Sequence, residues 1–136
     1  MELLQIVESR SLDAQQIMAG TAEVRAAVLQ KSRYLNAANF TCIHPSDLEN
    51  LFAEYDARFF DGQIKVSLGS QPLSFGLSKR MTSAGGKTAR YTDRSNGSQH
   101  FEITVSTAIL FGCFHEDDHR PITASGILCK DRLDAL

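Results

Sequence analysis

The chain has no tryptophan, three prolines and three cysteines. Cys42, Cys113 and Cys129 are odd in number and widely spaced, without a Cys-x-x-Cys pair, which argues against a disulfide framework or a thiolate zinc knuckle. We expect reduced, partly buried thiols. A catalytic cysteine with His100 or His115 as its base is an alternative that would need the two side chains to be adjacent.

Long apolar runs are also absent. No stretch approaches the roughly 18 apolar residues that cross a bilayer, and the N-terminal sequence Met-Glu-Leu-Leu-Gln lacks the basic start of a secretory signal. We therefore expect a cytoplasmic protein that does not associate with a membrane.

Neither charge dominates, since the formal net charge is -2. Such a chain has no overall field that would gather phosphate backbones, so charge does not support nucleic-acid binding. The strongest local basic cluster is interpreted as a solvated face. Its members are Lys79, Arg80, Lys87, Arg90 and Arg94.

Composition is otherwise that of a soluble globular domain. The hydrophobic fraction is 43% and the charged fraction is 22%, both near the usual averages, so disorder is not expected. A chain of 136 residues fits one domain with a single core.

The first part of the chain has the composition of helices. Residues 2–35 are rich in Ala, Leu, Gln and Glu, and Ser11 and Thr21 are candidate N-caps around a break at Gly20. The pattern predicts two or three helices. Their apolar residues recur at helical spacing and are predicted to be core.

A further helix is predicted over residues 46–61. Ser46 and Glu49 match a capping box, and Gly62 can provide the left-handed residue that ends the helix. One apolar stripe runs along it, formed by Leu48, Leu51, Phe52, Tyr55 and Phe59.

From residue 63 to residue 106 the apolar period changes to two, which predicts three or four strands. The first of these runs is Ile64, Val66 and Leu68. Asn96-Gly97 is a strong turn signal that favours antiparallel hairpins. With a short helix near residues 107–114, the chain is predicted to be an α+β fold: N-terminal helices followed by a small antiparallel β-meander, with helices on one face.

Several motifs occur in a fixed order in this region. They are Phe59-Phe60-Asp61-Gly62, then Arg80-Met81-Thr82, then Ala84-Gly85, followed by a strand ending at Ser106 and a short apolar helix. In this order the segment from Leu51 to Leu136 resembles the opening half of the SprT-like family of zincin-fold zinc metalloproteases. The resemblance implies a partial zincin-like domain over residues 45–136, and the helical segment over residues 1–44, indicated by its composition, lies outside the resemblance.

The same resemblance places the zinc ligands on a long helix carrying His-Glu-x-x-His. This chain begins such a helix only at residues 131–136, so we expect a truncated domain. No catalytic or metal-binding residue is assigned within the chain, and the motif residues from Phe59 to Gly85 are expected to be structural. Zinc and a polypeptide substrate are expected only in the full-length protein.

A literal His-Glu-x-x-His pattern does occur at His115, Glu116 and His119. Asp117 and Asp118 are poor helix-interior residues, and a proline follows, so the segment is interpreted as a solvated loop and not as a zinc site.

Two hypotheses about function follow. In the first, the chain is the non-catalytic N-terminal part of a SprT-like metallopeptidase, in which an extended substrate adds to an edge strand. In the second, it is a self-contained, non-enzymatic binding or scaffold module. A truncated domain is also expected to self-associate or to be marginally stable, through apolar surface at Phe52, Phe59, Phe75 and Phe101.

Overall fold

The computed structural model describes residues 2–113, 123–124, 127–129 and 131–136. The helices among these residues are α1 Leu3–Ser9, α2 Ala14–Lys31, α3 Pro45–Phe59, α4 Gln63–Leu68, α5 Thr107–Phe111 and α6 Arg132–Ala135. The strands are β1 Leu73–Ser78, β2 Gly86–Thr92, β3 Gln99–Ser106, β4 Thr123–Ala124 and β5 Ile127–Leu128. None of the helices in the described part is both long and apolar enough to span a membrane.

The main sheet is mixed, with the strand order β1-β3-β2. β1 runs parallel to β3, with Leu73 opposite Phe101, and β2 runs antiparallel to β3, with Ala89 opposite Glu102. The α+β class is confirmed, but the predicted antiparallel meander is wrong, because β3 lies between β1 and β2. Within this sheet only β2 and β3 form a hairpin, through a turn at Asp93 whose N–H donates to the Ser98 carbonyl at 2.8 Å, and β4 pairs antiparallel with β5 in a separate two-stranded sheet.

The two faces of the sheet differ in polarity because side chains alternate along each strand. One face presents the apolar residues of β1 and β3, and it packs against α3 through the Phe52 and Phe75 rings, whose centroids are 5.9 Å apart. The other face presents small and polar residues. They include Ser74, Gly76, His100, Glu102 and Thr104.

α2 is one continuous helix and starts at the N-cap Asp13, whose side chain accepts the Gln16 N–H. The caps predicted at Ser11 and Thr21, and the break between them, are therefore wrong. Gly20 lies inside the helix where the Phe59 ring crosses it, since a Cβ added at Gly20 would lie 2.6 Å from Phe59 Cζ. The glycine marks a close helix contact.

α3 begins one residue earlier than predicted, with Pro45 in its first turn. Its capping box pairs His44 with Asp47 in place of the predicted Ser46 and Glu49. Both candidate boxes satisfy the same spacing rule. The proline selects the earlier one because its ring sets the helical φ and it lacks the N–H that a helix start leaves unpaired.

α4 occupies a segment that the alternating residues predicted to be a strand. The carboxylate of Asp56, buried in α3, accepts the Ile64 N–H at 2.9 Å and the Lys65 N–H at 3.0 Å. These bonds cap the first turn of α4. A six-residue segment is too short for its period to distinguish a helix from a strand, and the deciding partner lies outside it.

One hydrophobic core joins the N-terminal helices to the rest of the described chain. Its buried members are Val24, Val28, Leu35, Phe40, Leu48, Leu51, Leu110 and Leu133. Residues from both sides of position 44 therefore pack together in this core.

The four phenylalanines expected to be exposed are each half-buried. Phe59 and Phe75 pack directly against the core. Large apolar side chains are exposed elsewhere, mainly on the N-terminal helices. They include Leu4, Val7, Ile17, Met18, Val66 and Tyr91.

Candidate functional site

The Phe59-Phe60-Asp61-Gly62 motif forms the end of α3 and the turn into α4. Asp61 and Gly62 both have left-handed backbone angles, with φ values of 53° and 74°. The Gly62 N–H donates to the Asp56 carbonyl at 2.9 Å, which caps the last turn of α3. This motif ends α3 and leads into α4, and the positive φ at position 62 favours glycine.

Asp61 also ties this turn to the N-terminal helices. Arg10 Nη2 donates to Asp61 Oδ2 at 2.7 Å, and Arg10 Nη1 donates to the Phe59 carbonyl at 2.9 Å. The Arg10 hydrogen bond lowers the pKa of the Asp61 carboxyl from its ordinary value. The motif is therefore held by a residue outside the resembling segment.

The Arg80-Met81-Thr82 motif lies in the loop between β1 and β2. Ser78 Oγ accepts the N–H groups of Arg80 and Met81, each at 3.2 Å. Ser106 Oγ donates to the Met81 carbonyl at 2.6 Å, and the Ser106 N–H donates to the Gly85 carbonyl at 2.8 Å.

The structure thus brings together the second motif block and the serine at the end of β3. Ser106 is buried, and its Oγ also accepts the Ile109 N–H, which caps α5. The contacts in this cluster use main-chain groups of Met81 and Gly85. The side chains of Arg80, Thr82 and Ala84 are exposed.

α6 has a firmly specified start. Asp131 is its N-cap, and its Oδ1 accepts the Asp134 N–H at 2.7 Å. Arg25 on α2 donates to both Asp131 oxygens, at 3.1 and 2.9 Å. This bidentate pair raises the pKa of Arg25 above its ordinary value. Arg25 on α2 therefore fixes the position of Asp131, the N-cap of α6.

The next residue, Arg132, is buried. Its Nη1 donates to the Phe40 carbonyl at 2.8 Å, and its Nε and Nη2 donate to the Cys113 carbonyl at 3.1 and 3.0 Å. Its guanidinium carbon lies 5.3 Å from the centroid of the Phe111 ring, a cation–π contact. Leu133 follows in the hydrophobic core. All of these contacts act on the first turn of α6.

The sequence pattern does not identify Arg25 or Arg132 as an anchor of α6. Arg25 lies in a helix whose apolar positions alone were interpreted, and its partner Asp131 is 106 residues away. The only available signal was Asp131 itself, an N-cap residue type followed by helix formers.

No group of three or more His, Cys, Asp or Glu side chains able to hold a metal ion occurs among the described residues. His115, Glu116 and His119, the literal His-Glu-x-x-His pattern, lie outside them. His44 accepts the Ser46 N–H and caps α3, and the His100 ring stacks on the Tyr91 ring at 4.8 Å. The described part of the chain therefore provides no set of zinc ligands.

The basic residues of the local cluster lie on β2 and on the loops at its two ends. Lys87 and Arg90 belong to β2, Arg80 precedes it, and Arg94 follows it, all of them exposed. None of them takes part in an ion pair between described residues. This edge of the sheet is positively charged.

Comparison with models of protein families, with curated proteins and with solved structures found no match to this chain.

Proposed function

We propose that this chain is the non-catalytic N-terminal part of a SprT-like zinc metallopeptidase, and that α6 is the first turn of the helix that would carry the zinc ligands. The proposal rests on the motif order together with one structural observation. The first turn of α6 is fixed in the core by Asp131, Arg132 and Leu133.

Contacts from distant parts of the chain nucleate α6. The first turn of an isolated helix is unfavourable because several residues are ordered for one hydrogen bond. Here the N-cap, the Arg25 pair and the buried Arg132 provide that nucleus through tertiary contacts. A helix continuing beyond Leu136 would inherit its position and direction from these contacts.

In this proposal the zinc ligands are encoded after Leu136. When bound, zinc in this class of enzyme activates a water molecule for attack on the peptide bond. The described residues do not fit a zinc site, so no catalytic step is assigned to them. Their role in the proposal is to position the helix and to build the sheet beside the zinc site, in a cytoplasmic protein that acts on polypeptides.

The free edge of β2 favours a second candidate function, a self-contained binding module. β2 pairs with β3 alone among the described strands, and strand addition at such an edge needs no metal. The two candidates differ in what the gene encodes after Leu136.

The deciding experiment is to sequence the transcript beyond the codon for Leu136. The metallopeptidase proposal expects an in-frame, mainly apolar helix with His-Glu-x-x-His close behind Leu136. A stop codon directly after Leu136 would contradict it and would leave the binding module.

A further inference from the structure

β2 is an unusually open edge strand. Six of its seven residues are exposed and only Ala89 is half-buried. Its partner within the described residues is β3 on one side, and no described strand lies on the other side. Exposed edges of this length are templates for pairing with another strand.

The hydrogen bonds at both ends of β2 show which residues face that open side. The Asp93 N–H bonds the Ser98 carbonyl, and the Ser106 N–H bonds the Gly85 carbonyl. Bonding alternates along an antiparallel pair, so the odd-numbered residues of β2 bond to β3. The N–H and C=O groups of the even-numbered residues point away from β3. These residues are Gly86, Thr88, Arg90 and Thr92.

We propose that a second copy of this chain pairs with this edge, β2 against β2, antiparallel about a two-fold axis at Ala89. In that register Gly86 bonds Thr92 of the second copy and Thr88 bonds Arg90 of the second copy. By symmetry all four outward-facing residues of each copy are used. The two three-stranded sheets become one continuous sheet of twice the size.

Side chains that would face each other in this register are compatible. Lys87 lies opposite Tyr91 of the second copy, where its ammonium group can approach the ring face, and Ala89 lies opposite its own equivalent. Arg90 lies opposite Thr88. No like charges are directly opposed, but the two Arg90 side chains are diagonal neighbours on one face of this positively charged edge, so added salt should favour the dimer. A two-fold axis at Arg90 would oppose the two guanidinium groups, and an axis at Thr88 or Tyr91 would leave part of the strand unpaired.

We infer that a second copy, and not a flexible polypeptide, pairs with this edge because β2 of the second copy is already extended and ordered. A flexible polypeptide pays conformational entropy when it becomes a strand, whereas β2 is held by β3 before it associates. The self-complementary order of Lys87, Ala89 and Tyr91 is a second argument. The inference does not depend on the metallopeptidase proposal, since it concerns this chain alone.

The register is tested by disulfide trapping in a Cys42→Ser background, which removes the exposed native thiol. Ala89→Cys should form a covalent dimer on mild oxidation, because directly opposed residues outside the hydrogen-bonded pairs have Cα atoms only about 4.5 Å apart. Lys87→Cys and Tyr91→Cys should not dimerise separately but should crosslink when mixed. Crosslinking of each single variant to the same extent would indicate random collision and would overturn the register.

The interface is tested independently by light scattering over a concentration series. The wild-type chain should approach twice its monomer mass of 15.0 kDa. Arg90→Pro should shift the chain to monomer, because it removes an outward N–H and leaves the β3 bonds intact. Arg90→Ala keeps that N–H and is the matched control, which should stay dimeric.

Three results would overturn the proposal. One is a wild-type chain that stays monomeric without crosslinking at position 89. Another is a dimer that persists in Arg90→Pro, which would place the contact on another surface. The third is a monomer in which added unfolded casein protects the Thr88 and Arg90 amides from exchange, since that would assign the edge to polypeptide.

Discussion

Arg25 holds the first turn of α6 through two hydrogen bonds to Asp131, and both side chains are mostly buried, with 23% and 12% of their surface exposed. A partly buried ion pair that loses one member leaves the other desolvated without that charge partner. Asp131 keeps its capping bond to the Asp134 N–H, which limits the loss. The pair therefore acts mainly on the position of α6.

Arg25→Met is expected to lower the free energy of unfolding by about 1–3 kcal/mol, because it keeps the aliphatic stem and removes the charge opposite Asp131. Arg94→Met is the matched control on an exposed arginine outside every ion pair between described residues, and it should change little. Urea unfolding measures both. Equal effects of the two variants would contradict the role given to Arg25.

Glu54 couples α3 to α2, since Lys31 Nζ donates to Glu54 Oε1 at 2.6 Å. This hydrogen bond lowers the pKa of Glu54 from its ordinary value of 4.5. Well above pH 4.5 the carboxyl is ionised in both the folded and the unfolded chain, and its stabilisation is fully present. As the pH falls below 4.5, the unfolded state takes up the proton first. The stabilisation therefore decreases until the pH has passed the lowered pKa of Glu54 in the folded state.

Glu54→Gln should therefore flatten the fall in stability on the acid side of pH 4.5. Urea unfolding at a series of pH values measures this slope for the variant and the wild type. Glu49→Gln, on the exposed face of the same helix, is the control and should leave the slope almost unchanged. Identical acid slopes for Glu54→Gln and the wild type would show that the Lys31 contact does not act as described.

At the scale of elements, some structure could be predicted from local pattern and some could not. The apolar stripe of α3 and the Asn96-Gly97 turn are local signals, and both the helix and the hairpin are present. α4 depends on a cap provided by Asp56 in another helix, which no local window contains. The parallel pairing of β1 with β3 is likewise a long-range choice that alternation does not encode.

The turn between α3 and α4 depends on a glycine at position 62, whose φ of 74° disfavours any side chain. Gly62→Ala is expected to lower the free energy of unfolding by about 1 kcal/mol, because a residue with a Cβ is strained in the left-handed region. A steric clash does not add to this cost, since a Cβ at position 62 would meet no atom within 4 Å. Gly85→Ala has equally open surroundings without the positive φ, and it should be nearly neutral. Thermal unfolding of the two variants separates backbone strain from steric contact, and equal shifts would contradict the assignment.

For the whole molecule, the shared core joins residues distant in the chain, with Val28 of α2 and Leu133 of α6 in one cluster. The motif resemblance starts at Leu51, so it does not predict that the N-terminal helices complete this core. The candidate site was predictable only as a helix start at residues 131–136, because Arg25, Phe40 and Cys113 reach it from distant parts of the sequence.

Val28→Ala should destabilise the chain by roughly 2 kcal/mol through lost apolar burial and a residual cavity. Because the core is shared, amide exchange should accelerate in β3 and α6 as well as in α2. Val66→Ala, whose side chain is 66% exposed, is the control and should have little effect. Faster exchange confined to α2 would mean that the N-terminal helices unfold separately.

The most direct test of the proposed function is zinc per chain, measured by elemental analysis after mild chelation and dialysis. Here the full-length gene product is compared with this chain and with its His115→Ala and His119→Ala variants. The account predicts about one zinc in the full-length product and none in this chain, in keeping with catalytic sites that hold one zinc with three protein ligands. One retained zinc in this chain that is lost in both variants would contradict it, as would a full-length product without zinc.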